Sequence, residues 1–146
     1  MTAEEMWAAF IHRAGIASDT PYEAWAFGDA PDKLAQLTLD GSKTATASAH
    51  ALYAIEGEKI PQVGEYSVIL DSAERAICVI CDTWVTIVPF DKVSPDHAYK
   101  EGEGDRSLAY WRTVHEAFFT ACLRDAGLPF TPDMDVVCEE FTKVYP

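Results

Sequence analysis

The sequence predicts an α+β fold, with helices packed around a small, mixed and mostly antiparallel β-barrel. Three observations lead there. Residues 65–88 are rich in Val, Ile, Thr and Trp and are interrupted by the turn-forming Asp71-Ser72-Ala73-Glu74. A second β-rich run covers 136–145. Three other segments carry apolar residues at helical spacing, each followed by a glycine stop.

Taken in order, Thr2-Ala3-Glu4-Glu5 has the T-x-x-E spacing of a capping box. Met6, Phe10 and Ala14 then share one helical face, with Trp7 and Ile11 beside it, until Gly15. Residues 16–21 read as a loop, and 22–27 as a short aromatic strand or turn. Asp29 and Pro31 open a second helix with Leu34, Leu37 and Thr38 inward and Gly41 at its end. Thr44 and Thr46, two apart, fall on one face of an extended segment with Lys43 on the other. Residues 47–55 lean helical, and 57–64 form a loop. Strands are expected at 65–70, 76–81 and 83–88. Residues 89–104 are expected to be mostly loop, with a helical turn at 94–99. Asp105 is placed as the cap of the clearest helix, whose stripe is Leu108, Trp111, His115, Phe118 and Cys122. Residues 1–21 are an N-terminal helix and lead-in, packed with 22–146 as a single domain.

With 146 residues, 49% of them hydrophobic, the chain can form one domain with a substantial core. Residues 1–20 contain neither a signal-peptide pattern nor a membrane span, so a cytoplasmic protein without a membrane partner is expected. A homodimer is left open. Eleven Lys+Arg against 24 Asp+Glu give a formal charge of −13. Such a surface repels long duplex nucleic acid, whose affinity comes mostly from phosphate neutralisation. Any nucleic-acid role then needs a local basic pocket, a divalent ion or a small substrate. Cys78-Val79-Ile80-Cys81 has a C-x-x-C look, but residues three apart on a strand face opposite ways, so all four cysteines read as free thiols.

Two polar segments stand out: Gly41-Ser42-Lys43-Thr44-Ala45-Thr46 and Glu101-Gly102-Glu103-Gly104-Asp105-Arg106-Ser107. They read as the halves of one site. The first is not a phosphate loop, because that motif needs G-x-x-x-x-G-K-[ST]. A lysine beside hydroxyls can serve as a base or steady an oxyanion, and Thr46 can position a substrate or act as nucleophile. In the second segment Glu101, Glu103 and Asp105 offer oxygen ligands for Mg²⁺ or Mn²⁺, or a carboxylate that activates water. Arg106 is placed as a clamp on an anionic group. Capping and the helix dipole also account for Asp105. His115 reads as a core histidine, and no HExxH or Ser-His-Asp set is present. Trp25 and Trp111 read as core aromatics that could alternatively stack a base.

Several motifs together resemble the ASCH-domain family, and within it the bacterial single-domain branch. They are Gly41-x-Lys43-x-x-Thr46, Pro61-x-Val63-Gly64-Glu65, Val88-Pro89-Phe90-Asp91-x-Val93, the acidic block from Glu101 to Leu108 with Tyr110-Trp111, and Val136-Val137-Cys138-Glu139-x-Phe141. The resemblance covers roughly residues 22–145 and implies a PUA-like barrel with a cleft for RNA or a nucleoside. It implies an RNA-directed hydrolase, ribonuclease-like, with Glu101, Glu103 and Asp105 as the ligands if Mg or Mn assists. One alternative is an amidohydrolase that deacylates an N4-acylated cytidine; the other is a non-catalytic RNA-binding module. By motif, the family's lysine and threonine fall on Lys43 and Thr46. Glu103 and Asp105 are the candidate acids, with Glu101 behind them. Thr44, Ser48, Glu101, Arg106, Ser107 and Trp111 are the expected substrate-binding residues. Ser48 stands where the family motif usually has an arginine, which removes one expected cation.

Overall fold

The computed structural model describes residues 1–146. Five α-helices surround one five-stranded sheet. In chain order the elements are α1 (Ala3–Ala14), β1 (Glu23–Ala26), α2 (Pro31–Asp40), β2 (Ala45–Ala49), α3 (His50–Glu56), β3 (Tyr66–Leu70), β4 (Ala76–Pro89), a 3₁₀ turn (Phe90–Lys92), α4 (Pro95–Glu101), α5 (Leu108–Asp125) and β5 (Asp135–Tyr145). The strand order is β1-β3-β4-β5-β2; β1 and β3 are parallel and every other pair is antiparallel. β1 and β2 do not pair, so the expected barrel is an open, curled half-barrel.

The expected strands at 76–81 and 83–88 are one continuous strand. Register shifts between Val79 and Ile80 and between Asp82 and Trp84 bend β4 without ending it. Such bulges increase local twist and let one long strand follow a curved sheet. Residues 47–55 divide, with 45–49 pairing to β5 and α3 beginning only at His50. Local propensity favours helix there, and the cross-strand ladder to β5 overrides it. The 89–104 stretch is more ordered than a loop, because Ser94 caps α4 by accepting from the His97 amide.

At α5 the cap is Ser107, whose Oγ accepts from the Tyr110 amide, while Asp105 accepts from the Ser107 amide one step earlier. The buried stripe runs Trp111, His115, Phe119 and Leu123. It drifts one residue from the expected Phe118 and Cys122, which stay half-buried. The capping box of α1 is present, and Met6, Trp7 and Phe10 pack on Val68, Ala76 and Val79. A second cluster joins Leu34, Ala35, Ile69, Ile80 and Phe141, and a third joins Phe90, Trp111, Phe119, Leu123 and Val136. A cleft is lined by β1, β2 and β3, with Asp82 of β4 and Glu139 of β5. The four cysteines are free. No helix is long and apolar enough to cross a membrane.

Candidate functional site

The two polar segments meet. The Lys43 amide donates to Leu37 O, turning the chain out of α2, and the Thr44 amide donates to Lys100 O at 2.8 Å, tying that turn to the end of α4. Thr44 Oγ1 donates to the same carbonyl at 3.3 Å. Gly102, at φ +75°, lies against this turn, and a Cβ there would collide with the Ser42 carbonyl oxygen. Glycine is needed at this position for its conformation and for the close approach. Gly102→Ala is expected to cost about 2 kcal/mol or more, since a non-glycine residue held there is strained by about 1–3 kcal/mol before the collision is counted. Urea unfolding measures it, and an unchanged midpoint would show that the two segments are not pressed together.

Lys43 is 1% exposed. Its Nζ lies 3.3 Å from Glu101 Oε1 and 3.0 Å from Glu103 Oε2, and 5.0 Å from the centre of the Phe27 ring. Glu101, also 1% exposed, is held from several sides. Trp111 Nε1 donates to Oε2 at 2.6 Å, His97 Nε2 lies 2.8 Å from Oε2, and His115 Nε2 lies 3.4 Å from Oε1. Burial alone would raise the Glu101 carboxyl, but Lys43, His115 and His97 outweigh it and hold the group well below the usual carboxylate range. His115 is desolvated, which lowers its pKa, yet Glu101 reverses the balance and raises it. Its Nδ1 faces Trp111 O at 2.9 Å. His115 is therefore a working part of this charge cluster as well as a core residue.

Glu103 is more open than Glu101, with its side chain 17% exposed. Glu101, Glu103 and His115 each offer a ligand atom within 4.8 Å of the others. The Lys43 ammonium stands against both carboxylates, so the position a divalent cation would take already faces a cation. This donor set fits Mg²⁺ or Mn²⁺ poorly, since both favour oxygen donors free of a competing charge. Asp105 is exposed and lies outside the set.

The remaining expected residues divide clearly. Arg106 is spent on the backbone: Nε donates to Tyr99 O, an Nη donates to Ser42 O, and the guanidinium lies 3.9 Å from the Tyr99 ring centre. It closes the two segments together. Ser107 caps α5, and Trp111 holds Glu101. Thr46 and Ser48 line a cleft of about 830 Å³, and Ser48 Oγ is 2.6 Å from the Tyr53 hydroxyl. Thr46 also lines the small recess containing Lys43, Glu101 and Glu103. It stands where the charge cluster meets the cleft.

Sequence reasoning missed the acids of that cleft. Glu139 faces Thr46 directly across the β2–β5 ladder, and Asp82 joins it at the β4 bulge. Their carboxyls hydrogen-bond each other. Burial first, then the neighbouring acids, pushes Glu139 up to about 9; burial likewise pushes Asp82 up to about 6. A signal existed, because an acid in the middle of an apolar strand requires a partner. Trp25, Tyr66 and Phe118 form aromatic walls, and Glu23, Glu56, Glu58 and Glu65 add charge against the single base, Lys59.

The ASCH-domain family model matches residues 23–145. The chain belongs to the ASCH-domain family. An ASCH domain from Lactobacillus crispatus superposes with a TM-score of 0.88 at 30% identity, covering 98% of this chain and 94% of that one. A protein from Enterococcus faecalis gives a TM-score of 0.88 at 36% identity, covering 97% of this chain and 87% of that one. No curated protein matches the sequence significantly. This ASCH domain has the PUA-like fold, a class associated with RNA binding.

Proposed function

We propose that this ASCH domain is a hydrolase of a small acylated nucleoside, an amidohydrolase whose nucleophile is Thr46. The observation that carries the reading is the position of Thr46, between the buried Lys43–Glu101–Glu103 cluster and a cleft large enough for one nucleoside. In the reaction Thr46 Oγ attacks the amide carbonyl. As it does so, the Lys43 ammonium gives a proton to the Glu103 carboxylate, and the lone pair thus freed takes the Thr46 proton. The Lys43 charge steadies the developing oxyanion. The Glu103 proton then goes to the leaving amine as the C–N bond breaks, and water releases the acyl group by the same route. Glu101 touches no reacting atom in this scheme; it positions Lys43. Catalysis needs no divalent ion, and a chelator is expected to leave the rate unchanged.

Electrostatics favour a small substrate over a polynucleotide. Glu23, Glu56, Glu58, Glu65, Asp82 and Glu139 face the cleft with Lys59 as the one opposing base, and phosphate binding depends on the reverse balance. RNA cleavage is the second reading, supported by the fold class alone. The test is turnover of N4-acetylcytidine by the wild type, Thr46→Ser and Thr46→Val with a chelator present. The valine variant, close in shape, is expected to lose at least about 10³-fold in kcat, as losing a nucleophile requires, while serine retains measurable rate. Equal rates in wild type and valine variant, or a ladder of RNA fragments with no nucleoside product, would overturn the proposal.

A further inference from the structure

The chemistry above does not use a second, smaller pocket of about 180 Å³ that opens beside the cleft. Its walls are Ala49, Leu52, Phe118, Phe119 and Cys122, and Ala49 and Phe119 are only 3% and 1% exposed. Its two acids, Glu56 and Glu58, are exposed side chains, so charge is confined to the rim. An apolar cavity of similar size, about 150 Å³, stays dry and takes up benzene. The pocket and the cleft share Ser48, Tyr53 and Phe118, and the Ser48 and Tyr53 hydroxyls bond each other at 2.6 Å.

Phe118 stands where three spaces meet. It borders the cleft, the side pocket and the recess that contains Lys43, Glu101 and Glu103. Its ring lies against the turn before α2, where a Cβ on Gly28 would come within 2.7 Å of Phe118 Cζ. A side chain at position 28 would push the ring out of this junction. The groups on an amide bound at Thr46 therefore have three ways to go. The recess, about 50 Å³, has room for the carbonyl oxygen beside Lys43 and little more. The cleft is acidic and polar and takes the nucleoside. The side pocket is the apolar one. Thr46 and Ser48 are two apart on β2, so they share a face and lie about 7 Å apart along the strand. A straight acyl chain of about six carbons, its carbonyl at Thr46, spans that distance and passes Ser48 into the pocket.

We propose that the pocket beside Phe118 is the subsite for the acyl group, and that the preferred substrates are amides of an apolar acid of about six carbons rather than of acetic acid. This deepens the proposed function and rests on it for the identity of the reacting bond. Selectivity comes from taking the added methylenes out of water, since one methylene in an apolar pocket changes affinity or rate by roughly tenfold or more.

Calorimetric titration of Thr46→Val with N4-hexanoylcytidine and with N4-acetylcytidine reads the pocket without turnover. The hexanoyl compound is expected to bind at least about twentyfold more tightly. Cys122→Phe fills the pocket from α5 and Leu52→Trp fills it from α3. Each, added to Thr46→Val, is expected to shrink that ratio to about threefold or less. Thermal unfolding of each variant checks that it is folded. Equal affinities in Thr46→Val would overturn the subsite. So would a ratio unchanged in both folded filling variants, which would place the tail on the open cleft wall. Hexanoyl preference with no turnover of either compound by the wild type would sink the hydrolase and leave the pocket standing. Turnover of both compounds with equal affinities would do the opposite.

Discussion

Lys43→Met is expected to abolish turnover and to destabilise the fold by about 3–5 kcal/mol, the usual cost of removing one partner from a buried ion pair. Methionine fills similar space, so the loss comes from charge. With the ammonium gone, Glu101 stays 1% exposed and must rely on Trp111, His97 and His115, while Glu103 loses its 3.0 Å contact. The double variant Lys43→Met/Glu101→Gln is expected to recover part of that stability, because no lone charge remains. Urea unfolding of both measures it. A single variant as stable as the wild type would show that the ammonium does not balance these carboxylates.

Glu139→Gln is expected to raise stability, and to do so most at alkaline pH. The sign follows from proton binding. In the unfolded chain this carboxyl loses its proton near its ordinary 4.5, whereas in the folded protein it keeps it to about 9, chiefly because it is buried. Between those values the folded state binds more protons than the unfolded one, so stability falls as pH rises. Glutamine has no proton to lose and removes that slope. A gain that grows by up to about 1.4 kcal/mol per pH unit is expected above pH 4.5, and it should vanish towards pH 4.5. Asp82 contributes in the same direction over the narrower window from 3.8 to about 6. A Tm difference independent of pH would mean that Glu139 ionises normally in the fold.

Local signals carried most of the fold. The capping box of α1, the Pro31 start and Gly41 stop of α2, the 71–74 turn and the β-rich run at 136–145 all act through neighbouring residues, and each holds. Long-range pairing decided the places where the expectation failed. Residues 45–49 are extended because β5 lies beside them, and β4 runs through Asp82 because its bulge follows the curl of the sheet. The same division applies to the site. Lys43, Thr46, Glu101 and Glu103 were legible because glycines and clustered charge mark them. The structural part of Arg106 was hidden because its partners, the Tyr99 and Ser42 carbonyls, are backbone atoms that no side-chain pattern reveals. His97 carries no motif of its own; only its i, i+4 spacing to Glu101 on α4 brings the two side chains together. The Asp82–Glu139 pair depends on a bulge and a strand register, and neither is written in spacing alone.

The most direct test of the central claim is mass analysis of the intact protein, quenched during reaction with N4-acetylcytidine. A mass gain of one acetyl group, mapped to the peptide containing Thr46 and absent in Thr46→Val, is the expected result. Release of cytidine and acetate with no acylated protein in any quench, and with full rate in Thr46→Val, would contradict the account and remove Thr46 from the chemistry.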